Sequence, residues 1–136
     1  MNTRKGFTLV ELLVVIAILA ILATVSVVGY TSFIANADNT AAQTEAADVD
    51  NAILTNLTLN KYCKITGADS ATIYVRRNGS SYDVSATVFD GTKEADYVAI
   101  TNLAELATGL SLDADGALVY TKKGVVVDVK SGKIAE

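Results

Sequence analysis

MNTRKGFTLVELLVVIAILAILATVSVVGY, residues 1–30, decides how the chain is read. Leu12 to Ala23 is an unbroken apolar run, and no charged residue occurs between Glu11 and Asp38. Phe7 to Val28 spans 22 residues. At a rise of roughly 1.5 Å per residue this is about 33 Å of helix, enough to cross a hydrocarbon core of about 30 Å. Arg4 and Lys5 precede the run, and the bias of basic residues toward the cytoplasm directs the remainder of the chain outward. A charge at the centre of a membrane helix costs roughly 2.5–3.5 kcal/mol on insertion scales, so Glu11 requires a reason.

Two plain readings leave Glu11 unexplained. A Sec signal core is normally about 7–15 apolar residues followed by a small-x-small cleavage site. Ala35-Asn36-Ala37 would serve as that site, and a soluble binding domain cut after Ala37 is one alternative. The apolar run is too long for it, and a carboxylate is out of place in a signal core. A simple membrane anchor accounts for the length but gives the carboxylate no task.

The rest of the chain is an ordinary acidic domain. The 136 residues carry a formal net charge of -4, with 51% apolar and 19% charged side chains. This disfavours nucleic acid as a main partner, because phosphate binding needs clustered Lys and Arg. There is no His and one Cys. A zinc site, a Cys-His pair and a Ser-His-Asp triad therefore cannot be assembled, and no glycine-rich phosphate loop occurs. No catalytic residue, metal or cofactor is assigned, and an enzyme is not expected. Cys63 cannot close an intramolecular disulfide and is read as a small buried residue. Asp113-Ala114-Asp115-Gly116 begins like a calcium loop but lacks the later ligands and the closing Glu, so it is read as a turn.

Periodicity supplies the fold class. Ala42, Ala46, Val49, Ile53 and Leu57 fall on one helical face, with Gln43, Glu45, Asp48, Asp50 and Asn51 between them. One helix is expected from about residue 7 to about residue 60, its first half apolar enough for lipid and its second half on a globular head. From residue 71 the pattern turns to strands. Residues 72–75 and 82–88 flank Asn78-Gly79, and residues 117–120 and 125–129 flank Lys122-Lys123-Gly124, which are hairpin signals. A further turn is expected at 131–133. A short helix is expected over 101–108, with Thr101 as N-cap and Gly109 after its end. The fold class is α+β, a long N-terminal helix packed on a small, mainly antiparallel sheet.

The first residues also carry a resemblance. Met1 to Gly6, followed by Phe7-Thr8-Leu9-Val10-Glu11-Leu12, is similar to the class III leader of type IV prepilins and of the related type II secretion pseudopilins. The leader is short and basic and ends in Gly; then come Phe, Glu at a fixed spacing and an apolar helix. Tyr30 also matches the family. The resemblance implies that a prepilin peptidase cuts between Gly6 and Phe7 and N-methylates Phe7. It divides the chain into a leader (1–6), a hydrophobic filament-core helix (7–33) and a head (34–136). It further implies that Glu11 meets the Phe7 amine of an adjacent copy, with Thr8 nearby, when subunits assemble through a platform in the membrane. The head then lies outside the cell and finally in an extracellular pilus. A major pilin is the reading taken, and a pseudopilin of a secretion or DNA-uptake system is the alternative. The sequence departs from the family at Val28, where a helix-kinking Pro is common, and at Ala20, where Gly is frequent. It also has no C-terminal disulfide. Without Pro, the helix is expected to run unbroken through residues 20–30.

Overall fold

The computed structural model describes residues 6–135. Arg4 and Lys5, assigned above to the leader, lie outside the described residues. The element order is one long helix, α1 (Leu9–Leu59), followed by seven strands. These are β1 (Tyr62–Thr66), β2 (Thr72–Asn78), β3 (Ser81–Ser85), β4 (Val98–Ala99), β5 (Leu110–Leu112), β6 (Leu118–Lys122) and β7 (Val125–Asp128). The chain forms two compact units, Met1–Ala37 and Asp38–Glu136.

In the first unit, α1 is helical at every residue from 20 to 30, as the absence of Pro leads one to expect. The hydroxyls in this stretch are absorbed by the helix itself. Thr24 Oγ1 donates to the Ile21 carbonyl at 2.7 Å, Ser26 Oγ to Leu22 at 2.7 Å and Thr31 Oγ1 to Val28 at 3.0 Å. Back-bonding of this kind satisfies these three hydroxyl donors within the helix.

In the second unit the stripe read from the sequence is the buried face of α1. Ala42, Ala46, Val49, Ile53 and Leu57 are each no more than 1% exposed. They share one core with Cys63, Ile65, Ile73 and Val75 from one sheet and with Leu110, Leu118, Tyr120 and Val127 from another. Thus there are two sheets where the sequence suggested one. The first has the order β3-β2-β1-β4 and the second β5-β6-β7. All pairs are antiparallel except β1 with β4, which is parallel over Cys63↔Val98 and Lys64↔Ala99.

Both expected hairpins form, with small shifts. Asn78 pairs with Ser81, so the first turn is Gly79-Ser80 instead of Asn78-Gly79. Positive φ falls on Gly79 alone, at +61°, which suits a first central position needing no Cβ. Lys122 pairs with Val125, and Lys123-Gly124 form the second turn with φ values of 49° and 79°, the pattern of a type I′ turn. The segment read as an α-helix over 101–108 is a 3₁₀ helix, Ala104–Gly109, and Leu103, not Thr101, precedes it without a side-chain cap. Gly109 lies inside this helix instead of after it. A Cβ there would come within 2.7 Å of the Tyr120 ring and 2.9 Å of the Thr121 carbonyl oxygen, so close packing and not capping requires glycine. Asp113 closes a turn between β5 and β6: its Oδ1 accepts from the amides of Asp115 (2.9 Å) and Ala117 (2.8 Å).

Three carboxylates of the head are held below their usual range by partners on other elements. Glu45 accepts from Lys122 and Tyr120, Asp83 from Arg76 and Asn78, and Glu94 from Lys64 and Tyr74. A depressed folded-state pKa contributes stability that is present above the unfolded value and lost as pH falls through the folded value. The head is therefore expected to hold its melting temperature down to about pH 4.5, near the unfolded carboxylate values, and to lose stability, modestly because these groups are partly exposed, as the pH falls below that. Thermal denaturation followed across this range checks it; a melting temperature that stays flat to pH 3 would contradict the assignment.

Candidate assembly site

The residues singled out at the N-terminus occupy the point where irregular chain becomes helix. Residues 6–8 have no regular structure and α1 begins at Leu9. Gly6 has no neighbouring atom within 4 Å of where a side chain would start, and Phe7 is 90% exposed. The bond between Gly6 and Phe7 thus lies in open, non-helical backbone.

Thr8 and Glu11 are joined to each other. The Glu11 amide donates to Thr8 Oγ1 at 3.2 Å, and the Thr8 amide donates to Glu11 Oε2 at 3.3 Å. This is a capping box, with Thr8 as N-cap and Glu11 in the third helical position. It satisfies two amides that the first turn would otherwise leave without partners. The carboxylate also sits where the helix dipole favours negative charge by roughly 0.3–1 kcal/mol. The T-x-x-E pattern at 8–11 is a sequence signature of this box that the reading of Glu11 as a membrane charge did not include. Within one chain Glu11 has a task; the box uses Oε2 and leaves Oε1 without a bond from the described residues.

The surface behind this site is apolar on all sides. Every residue from Gly6 to Ala37 is exposed, including Leu9, Val10, Leu12, Leu13, Ile16 and Leu19. Contiguous apolar surface on that scale marks a membrane or protein contact. Among the described residues one helix, α1, is long and apolar enough to cross a membrane.

The head carries ion pairs between its elements. Lys64–Glu94 and Arg76–Asp83 are both 2.8 Å apart and partly exposed. Cys63 is fully buried, and burial pushes its thiol pKa up, which makes it a poor nucleophile. Among the described residues no group of three or more His, Cys, Asp or Glu is placed to hold a metal ion.

A short basic stretch precedes an exposed apolar helix capped by Thr8 and Glu11, and two small sheets follow it in the chain. Residues 1–27 match the family described as the prokaryotic N-terminal methylation motif. The chain is also 33% identical over 135 residues to a "Fimbrial protein" of Moraxella nonliquefaciens, covering 98% of this chain and 84% of the relative. No solved structure matches. The chain belongs to the type IV pilin and pseudopilin family.

Proposed function

We propose that this chain is a structural subunit, the major pilin, of a bacterial type IV pilus, and not an enzyme. The observation that carries the reading is the helix of residues 9–37. It is apolar and exposed on every side, and it opens with a single carboxylate at Glu11. Prepilin peptidase cuts the leader at Gly6–Phe7 on the cytoplasmic face and methylates the new amine. The subunit then waits as a single-pass membrane protein with its head outside, until the assembly platform adds it to a filament of its own copies.

In that filament Glu11 leaves the membrane surface and becomes buried among apolar side chains, where it needs a cation. The Phe7 amine of an adjacent copy supplies one, next to Thr8. At about 4 Å and an effective dielectric near 20 the pair attracts by roughly 4 kcal/mol before desolvation is subtracted. Leu and Val surfaces are nearly indifferent to axial sliding, whereas one buried charge pair is not. Glu11 therefore fixes the stagger between subunits, as a lone polar residue fixes register in a coiled coil. The name of the Moraxella relative supports a pilus over a pseudopilus. Electron microscopy of cells with and without the gene tests this: surface fibres lost on deletion support a pilus, and a cell without fibres but with a secretion or DNA-uptake defect makes the chain a pseudopilin.

Processing gives a direct check. The mature N-terminus is expected to be N-methyl-Phe7, and Gly6→Val is expected to leave the chain uncut, because a branched side chain then occupies the position the peptidase must accommodate. Intact-mass measurement of assembled material decides it. A chain beginning at Asp38 would instead make it a Sec-secreted domain.

A further inference from the structure

The grip of the head on α1 changes character along the helix. From Val49 upward it is held by branched aliphatic side chains: Val49, Ile53 and Leu57 are fully buried. Below Val49 the buried residues are Ala42 and Ala46, each offering one methyl group. Apolar burial scales with area, so this lower stretch has much less of it to hold it down.

Polar links are concentrated where the apolar grip is weakest. Glu45 Oε2 accepts from the Tyr120 hydroxyl, and Glu45 Oε1 accepts from Lys122 Nζ. Lys123 Nζ lies 3.5 Å from Asp38 Oδ1. Gln43 Nε2 donates to the Gly132 carbonyl at 2.9 Å. Three of these four links come from β6 and its turn. The turn is fixed by positive φ at Lys123 and Gly124, which sets both lysines at the end of a rigid hairpin. The inner part of the pairing is sheltered: Glu45 and Lys122 side chains are 27% and 32% exposed, against 67% for Lys123.

We infer that the β6–β7 hairpin is a clasp on the base of the head helix, and that residues 38–46 release from the head as a local unit when Glu45 loses its partners on β6. Residues 49–59 stay in place, because their hold is mainly the buried Val49, Ile53 and Leu57, with the Tyr82 hydroxyl donating to Asp50 at 2.7 Å and Asn56 to Asn102 at 3.1 Å besides. Local opening with low free energy is expected where buried apolar contacts are few. A pull on the chain through Ala37 reaches the clasped stretch first, so the clasp sets how far tension runs into the head before the core is disturbed.

Hydrogen exchange of the full processed chain in detergent micelles tests this. Lys122→Met and Glu45→Gln are each expected to raise amide exchange over residues 38–47 by roughly fivefold, the effect of losing one partly exposed ion pair. Exchange over 49–59 should be unchanged. The double variant should exceed either single one by little, since both remove the same link. Tyr120→Phe, which keeps the ring and removes only the hydroxyl, should give a smaller rise in the same peptides, and it serves if the charge variants fold poorly. Unchanged exchange over 38–47 in all these variants would overturn the inference. So would an equal rise over 38–59, which would mean that the helix leaves the head as one body.

Discussion

Glu11→Val is expected to abolish filament formation while processed subunit accumulates in the membrane at its usual level. An apolar residue replaces a charge, so insertion is unharmed or improved. The head, whose first core residue is Ala42, should fold as before. Assembly should fail because helices meeting in the filament lose both an attraction and a register mark, and the neighbouring Phe7 amine is left buried without a partner at a cost of several kcal/mol. The capping box adds a second possible cause, loss of the bond to the Thr8 amide. Glu11→Gln separates the two. Gln serves a capping box as Glu does, but carries no charge. If the charge pair matters, Glu11→Gln should assemble nearly as badly as Glu11→Val; if the cap matters, it should assemble well. Glu11→Asp should be intermediate, since its charge remains with a shorter reach. The measurement is filament yield from a strain making only the variant, set against membrane-bound processed subunit. Normal filaments from Glu11→Val would reduce the segment to a simple anchor.

How much of this was legible in the sequence depended on how local each signal was. The helix and its buried stripe were readable because a 3.6-residue period over Ala42 to Leu57 is a property of one continuous segment. The hairpins were readable because Gly79 and Gly124 mark turns between neighbouring strands. What went unread depends on distant partners. Tyr62–Thr66 is not flanked by an Asn-Gly or Lys-Gly hairpin turn, and it is a strand because Cys63 and Ile65 join the core that α1 shares and pair with Val75 and Ile73. β4 is two residues long and exists only through its parallel contact with β1. Along the chain the two sheets are separated by the 3₁₀ segment Ala104–Gly109, and no local pattern encodes the packing of Gly109 against Tyr120. At the N-terminus the position was reversed: the capping box was entirely local and could have been read from Thr8 and Glu11 alone.

Ile53→Ala is expected to destabilise the head by about 3–4 kcal/mol. Ile53 is wholly buried in the stripe, between Val49 and Leu57. Its side chain belongs to the core that both sheets share. Truncation removes apolar contact and leaves a cavity that a long helix cannot collapse into without moving its whole buried face. For a domain of this size a loss of 3 kcal/mol lowers the melting temperature by roughly 15 °C, and it is a large part of a typical total stability of about 5–15 kcal/mol. Ile16→Ala is the matched control. It makes the same chemical change at an exposed position in the first unit, so the melting temperature of the head should stay within about 2 °C of the parent, in keeping with substitutions away from any core. The two variants should differ in the opposite sense in the filament, where Ile16 belongs to the surface proposed to pack against other copies and Ile53 does not. Near-UV circular dichroism of processed subunit in micelles gives the melting temperatures. A loss below about 3 °C for Ile53→Ala would show that the helix contributes little to the head, and the two sheets would then have to hold together without it.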